Sequence, residues 1–300
     1  MWKLSGLVSS GRYIPCTSTN VNEDSHVWQV HLNAARTVVD SQENAVSTHR
    51  HDNTSLFLEQ ELFIANTFAS TTNFITSPPS NGFKLDDRIS RPSSTFIEFL
   101  KLIEMVTSLE RQVLTQPAML VDSGVSASGL RKLFENARSR TLELGRTFQV
   151  SGSNDYLHLS RAVNCFYHAG LIYSHRALLK DDSYYLTLSD EGQQQLATSK
   201  VELFRALGFA ETNKPTFAQD LVWPLFIAGT EATQKDEQKM VVAKLQQAML
   251  ETGFSNCQHA LEFLKALWQR RAGDEIFGSE LDWIAFAREW TGQGRTFLVF

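Results

Sequence analysis

Eight histidines stand first among the groups that bind metals or move protons near neutral pH. His49-Arg50-His51-Asp52 is a local cluster, but a tetrahedral metal site there lacks a cysteine and a helical i,i+4 mate. It reads as a polar surface loop. His168 and His175 lie seven residues apart, on one face of a predicted buried helix, and a metal between them needs ligands from other helices. Two satisfied core histidines are the expectation. His26 and His31 are five apart, on different parts of a helical surface, and the zinc-protease HExxH pattern is absent.

The carboxylates come next, because an all-helical, aromatic-rich chain has the general make-up of a terpene cyclase, whose magnesium ions grip a diphosphate through clustered acids. Asp86-Asp87 runs into Arg88-Ile89-Ser90 and Asp181-Asp182 into Ser183-Tyr184-Tyr185. Neither pair has the third carboxylate, and both sit in turn-like sequence where solvated Asp is the default. Ser151-Gly152-Ser153 and Gly292-Gln293-Gly294 lack the strand, turn and lysine of a phosphate loop, and no GxSxG elbow occurs. The residues therefore point to no catalytic set and no cofactor. Cys16, Cys165 and Cys257 are far apart in sequence, which excludes a disulfide framework and a CxxC zinc knuckle and reads as three reduced thiols.

The densest cationic stretch holds Arg131, Lys132, Arg138, Arg140 and Arg146 against Glu135 and Glu143. Arg131, Glu135 and Arg138 fall at i, i+4 and i+7, the spacing of a charge ladder along a solvated helix face. With 28 Lys plus Arg, 33 Asp plus Glu and a net charge of -5, the chain has no net basic field to hold phosphates, so specific DNA binding by this chain is not expected.

Helices must position these groups. A chain of 300 residues that is 42% hydrophobic, with 20 Phe and 6 Trp, has enough apolar surface for a core of its own. No stretch reaches the roughly 18 consecutive apolar residues of a membrane span, and the first residues lack the apolar core of a signal peptide. Phe96, Phe99, Leu100, Ile103, Val106 and Val113 recur at helical spacing. Leu159, Ala162, Phe166, Ala169 and Tyr173 form a stripe beside Val163, Tyr167, Leu171 and Leu178, which predicts a helix apolar over most of its circumference and therefore central. Val241 to Thr252 and Cys257 to Trp268 repeat the pattern, with Gly253 and Gly273 where helices stop. Trp28 to Val39 and Leu56 to Thr72 predict two earlier helices. Residues 76–95, with Pro78, Pro79, Asn81-Gly82 and Pro92, read as a long loop. Strand-like alternation is confined to Ser183 to Leu188 and Thr296 to Phe300. The predicted fold class is all-α, a multi-helix bundle or stacked antiparallel helices in a single domain over residues 25–300, after an irregular segment at 1–24.

Several stretches together resemble one family. Leu221-Val222-Trp223-Pro224-Leu225-Phe226-Ile227-Ala228-Gly229-Thr230-Glu231-Ala232 closely resembles the segment marking the fungal-specific transcription factor domain, the regulatory region that follows a binuclear zinc cluster in many fungal regulators. Trp28 with His31-Leu32 and Ala35, Phe57-Leu58 through Phe68-Ala69-Ser70-Thr71, Ala169-Gly170-Leu171-Ile172-Tyr173-Ser174-His175-Arg176, then Leu264, Leu267-Trp268-Gln269-Arg270-Arg271, Gly273 and Trp283 follow in the family's order. The resemblance implies transcriptional regulation in the nucleus through protein partners or self-association, with a small-molecule inducer as a further option. It also implies a structural role for Tyr173, Arg176, Trp223, Pro224, Leu225, Phe226, Gly229, Glu231, Trp268 and Trp283.

The chain departs from the family pattern in two ways. The six clustered cysteines of the zinc module are absent, and only about 25 residues precede the Trp28 segment where further helices are usual, so the chain reads as N-terminally shortened. That reading predicts an uncovered apolar face formed by Val30, Leu32, Val38, Leu56, Phe57, Leu62 and Phe63. In the motif itself, Pro224 is expected to open a helix with Trp223 just outside it, Gly229 to let another backbone approach, and Trp268 to lie in the core. Two other function classes stay open at this point: an all-α enzyme of secondary metabolism on a borrowed scaffold, and a plain helical interaction protein.

Overall fold

The computed structural model describes residues 53–74, 96–115, 126–147, 153–178, 190–208, 220–253, 256–273 and 281–297, together with Ala34, Thr37 and Val299. Among these residues the chain forms nine helices and no strand. They are α1 (Asn53–Thr72), α2 (Ile97–Thr115), α3 (Ala127–Thr147), α4 (Ser153–Leu178), α5 (Asp190–Gly208), α6 (Val222–Glu231), α7 (Lys235–Thr252), α8 (Asn256–Gly273) and α9 (Trp283–Gly292). The all-α prediction therefore holds. The Trp28 helix lies outside the described residues apart from helical Ala34 and Thr37. So do the loop at 76–95, the His49 to Asp52 cluster, both Asp-Asp pairs and Ser183 to Leu188.

Two helices organise the rest. α4 packs against α2, α3, α5 and α6, while α6 packs against α4, α5, α7 and α8. The reason is compositional: α4 buries Leu159, Ala162, Val163, Phe166, Ala169, Leu171, Ile172 and Tyr173 on several sides, and a helix without a polar face is stable only inside others. α6 goes further, with every residue from Val222 to Glu231 buried. Small residues set how closely α3 meets α4. A Cβ on Gly170 runs into the ring of Phe134, and one on Gly145 into Leu159. Alanine normally favours a helix over glycine by about 1 kcal/mol, yet Phe134 is fully buried and has no room to move. Gly170→Ala is therefore expected to lower stability by about 1–3 kcal/mol through overpacking, read as a lower urea midpoint; a rise would mean that the α3–α4 contact is looser than described.

Helix ends follow the sequence signals in part. Gly253 closes α7 in the left-handed region at φ 75°, its N–H bonded to the Met249 carbonyl at 2.8 Å. Asp282 opens α9 by accepting from the Ile284 N–H at 3.0 Å. At the C-terminus the alternation at 296–300 produces no strand among the described residues, but Phe297 and Val299 both enter the core.

The proposed uncovered face is corrected where it is described. Leu62 and Phe63 are 6% and 4% exposed, because α1 turns them towards the interior beside α2. The side chains of Val30, Leu32, Val38, Leu56 and Phe57 lie outside the described residues.

Candidate functional site

The residues singled out in the sequence converge on α6. Trp223 is fully buried, stacked on Phe166 at 6.1 Å and edge-on to Tyr173 at 5.9 Å. Tyr173 reaches Trp283 at 6.2 Å, and Trp283 meets Phe226 edge-on at 5.6 Å. Phe226 continues to Phe297 at 5.6 Å, which stacks on Phe263 at 4.6 Å. A continuous file of rings thus links α4, α6, α8, α9 and the C-terminal segment, in the offset and edge-to-face contacts that aromatic quadrupoles favour.

Most polar groups inside this file are matched, although the buried Trp283 Nε1 has no hydrogen-bond partner. The Trp223 indole N–H donates to Thr71 Oγ1 at 3.3 Å, and Thr71 donates to the Phe68 carbonyl at 2.8 Å. Thr107 donates to the Ile103 carbonyl at 2.8 Å, so the Tyr173 hydroxyl, 2.8 Å from Thr107 Oγ1, is the donor of that pair. Burial pushes the Tyr173 phenol up to about 12, which keeps it a neutral donor. Thr72 donates to the Phe297 carbonyl at 2.8 Å and ties α1 to the C-terminal segment.

The C-terminal end of α6 is a polar junction. Its last carbonyls lack i,i+4 partners, Gly229 taking only the Ala232 N–H at 3.2 Å, and carry the negative end of the helix dipole, and cationic or N–H donors converge on them. The Trp268 indole N–H donates to the Gly229 carbonyl at 2.9 Å. Arg271 donates to the Thr230 carbonyl at 2.6 Å and to the Leu281 carbonyl at 2.9 Å, bridging α6 to the entry of α9. Glu231, 6% exposed on its side chain, accepts two bonds from Arg176 at 2.8 and 2.7 Å, a bidentate pair that joins α6 to α4. Burial alone draws the Arg176 guanidinium down, but the Glu231 bonds and charge outweigh it and hold it above the ordinary arginine value. Arg271 is lowered, chiefly by burial, against the pull of Glu231 and Asp282.

Three details of the motif are corrected. α6 begins at Val222, so Trp223 is inside the first turn and Pro224 is the third residue. The first i,i+4 bond runs from the Leu225 N–H to the Leu221 carbonyl at 2.9 Å, and the N–H that Pro224 lacks would have had no partner. Gly229 admits side chains rather than a backbone: a Cβ there would sit 2.5 Å from Leu264 Cδ1 and 3.2 Å from Val241 Cγ1. Trp268 is half-buried against the core rather than enclosed in it. Pro224 and Leu225 are buried within α6.

Sequence reasoning missed Thr71, Thr72, Thr107 and Arg271 as partners of these residues. For the three threonines the available signal was an unusual one, hydroxyl residues on otherwise apolar helix faces.

His168 and His175 are not the satisfied pair expected. The Nδ1 atoms of both are buried without a hydrogen-bond partner, and both imidazoles are drawn down to about 4, by burial first and then by Arg138 and Arg176 respectively. No group of three metal-ligating side chains occurs among the described residues. Cys165 and Cys257 are buried and reduced, the latter pushed up to about 11 by burial, which leaves an inert thiol. Because the unfolded chain takes up a proton on His175 below about pH 6.5 and the fold only below about 4, stability is full above 6.5 and falls as the pH drops towards 4. For His175, 4% exposed, the loss amounts to about 3 kcal/mol. Urea midpoints between about pH 7 and pH 4.5 should fall steeply in the native chain and less steeply in His175→Gln; parallel slopes would contradict this.

A domain of this kind, two nested hub helices held by rings and capped carbonyls, is a helical scaffold. Comparison then places it: the chain matches the family described as the fungal specific transcription factor domain over residues 14–299 and belongs to it. No curated protein and no solved structure matches the chain. Membership supports a regulatory role in transcription.

Proposed function

We propose that this chain is the regulatory or effector module of a fungal transcription factor, acting in the nucleus through protein contacts, with an inducer as a further input, and without DNA-reading machinery of its own. The observation that carries the reading is the family match across residues 14–299. Two further features support it. The residues of the family-like motif are engaged with one another around α6, where they hold helices together, and the two described thiols are enclosed, so neither is offered to a metal. No helix among the described residues is long and apolar enough to cross a membrane.

The direct test fuses the chain to an unrelated DNA-binding module in a fungal cell carrying a matching reporter. Altered reporter output, with the fusion in the nucleus, is the expected result; an unchanged reporter from a folded, nuclear fusion would overturn the proposal. A biochemical prediction accompanies it. The purified chain should contain no stoichiometric zinc and give no sequence-selective mobility shift at physiological salt, since it has three scattered cysteines and a net charge of -5. Near two zinc ions per chain, or a selective shift, would contradict it.

A further inference from the structure

The cationic stretch of α3 takes no part in the α6 junction. α3 carries five Arg or Lys and two Glu, a surplus of three positive charges within a chain of net charge -5. Part of this surplus is absorbed on the α4 side, where Arg138 pairs with Glu135 at 3.3 Å and lies over the Tyr167 ring at 5.1 Å. The other flank, facing α2, is different. There a single carboxylate, Glu98, serves two cations, Lys101 at 3.5 Å and Arg140 at 3.1 Å, and the Arg140 side chain is 69% exposed. Lys132, eight positions before Arg140 and so about 80° round α3 from it on the solvent side, is exposed and has no acidic partner among the described residues. Leu133, seven positions before Arg140 on the same line of the helix, is 42% exposed.

We infer that the α2–α3 seam is a docking surface for an acidic amphipathic helix of a partner protein, which sets a leucine-type side chain on Leu133 and carboxylates on Lys132 and Arg140. This rests on the reading that the domain works through protein contacts. The match is one of charge and spacing. Leu133 and Arg140 are about 10 Å apart along the helix axis, so an apolar residue and a carboxylate two turns apart on the incoming helix meet both. A carboxylate there completes the pairing that Glu98 divides between two cations. Nucleic acid fits less well, because a phosphate backbone offers Leu133 nothing and the net charge of the chain repels a long polyanion.

The test uses the full chain and a fluorescein-labelled, helix-forming peptide of about 18 residues with Leu and Glu along one face, read by fluorescence anisotropy. Binding should weaken about tenfold or more in Lys132→Glu/Arg140→Glu and in Leu133→Asp, and fall with added salt. Glu98→Gln, which releases both cations from their internal partner, should tighten it. That gain separates a docking role from a structural one, since losing a merely structural pair would not improve affinity. Unfolding curves confirm that each variant is folded. Equal binding by all variants, a loss with Glu98→Gln, or displacement by duplex DNA as effective as by unlabelled peptide would overturn the inference. A reporter that still responds to the tethered domain while the seam variants bind as the native chain does would remove this inference and leave the regulatory reading intact.

Discussion

Trp223→Ala is expected to destabilise the domain by about 3–5 kcal/mol, a fall in melting temperature on the order of 10 °C. The indole is fully buried and touches the rings of Phe68, Phe166 and Tyr173, at 6.0, 6.1 and 5.9 Å. Alanine leaves a cavity bounded by three helices that also hold other contacts, so collapse into it is limited. The hydrogen bond matters less, because Thr71 keeps its own bond to the Phe68 carbonyl. Trp223→Phe should therefore recover most of the loss. Trp268→Ala should cost less, since that side chain is half-buried and the Gly229 carbonyl keeps the Ala232 N–H at 3.2 Å after losing the indole. Equilibrium urea unfolding of the three variants decides the order. A Trp223→Ala protein as stable as the native chain would mean that the ring file does not hold the fold.

The Arg176–Glu231 pair carries the second large effect, and it is asymmetric. Arg176→Met removes the bidentate partner of a carboxylate whose side chain is 6% exposed, leaving a buried charge, at a cost of about 3 kcal/mol or more. Glu231→Gln leaves the charge on Arg176, which is 38% exposed and can turn to water, so its cost is smaller, about 1–2 kcal/mol. Arg176→Met/Glu231→Met removes both ions together with their desolvation and should recover much of the Arg176→Met loss. A double-mutant cycle measures this coupling. Strictly additive losses would mean that the two side chains act separately and that the junction is held by Arg271 and Trp268 instead.

Much of the scaffold was legible along the chain for a physical reason. Periodicity at i, i+3 and i+4 is a local property, and α4, with its apolar residues on nearly every side, has no stable place except the centre. The stop at Gly253 is equally local, because the left-handed conformation of a helix end costs glycine little. Family resemblance was legible too, since the run from Leu221 to Ala232 is contiguous.

The junction was not legible in the same way. Glu231 and Arg176 are 55 residues apart, and Thr72 and the Phe297 carbonyl 225 apart, and no spacing rule joins them. Whether a polar side chain is paired depends on which helix lies opposite, which explains why the two histidines were expected to be satisfied while their Nδ1 atoms have no partner. The start of α6 shows the same limit at short range: proline tolerates any position in a first turn, so Pro224 alone does not say where that turn begins.

What the sequence determined by itself was most of the helices, α5 and α9 excepted, the burial of α4, the missing thiolate cluster and the family, all of which follow from residue type and local order. What only the tertiary structure decided was the meeting of α4, α6, α8 and α9 at one ring file and one capped helix end. Those contacts bring together side chains distant in the chain, and their energies arise only once water has been excluded between them.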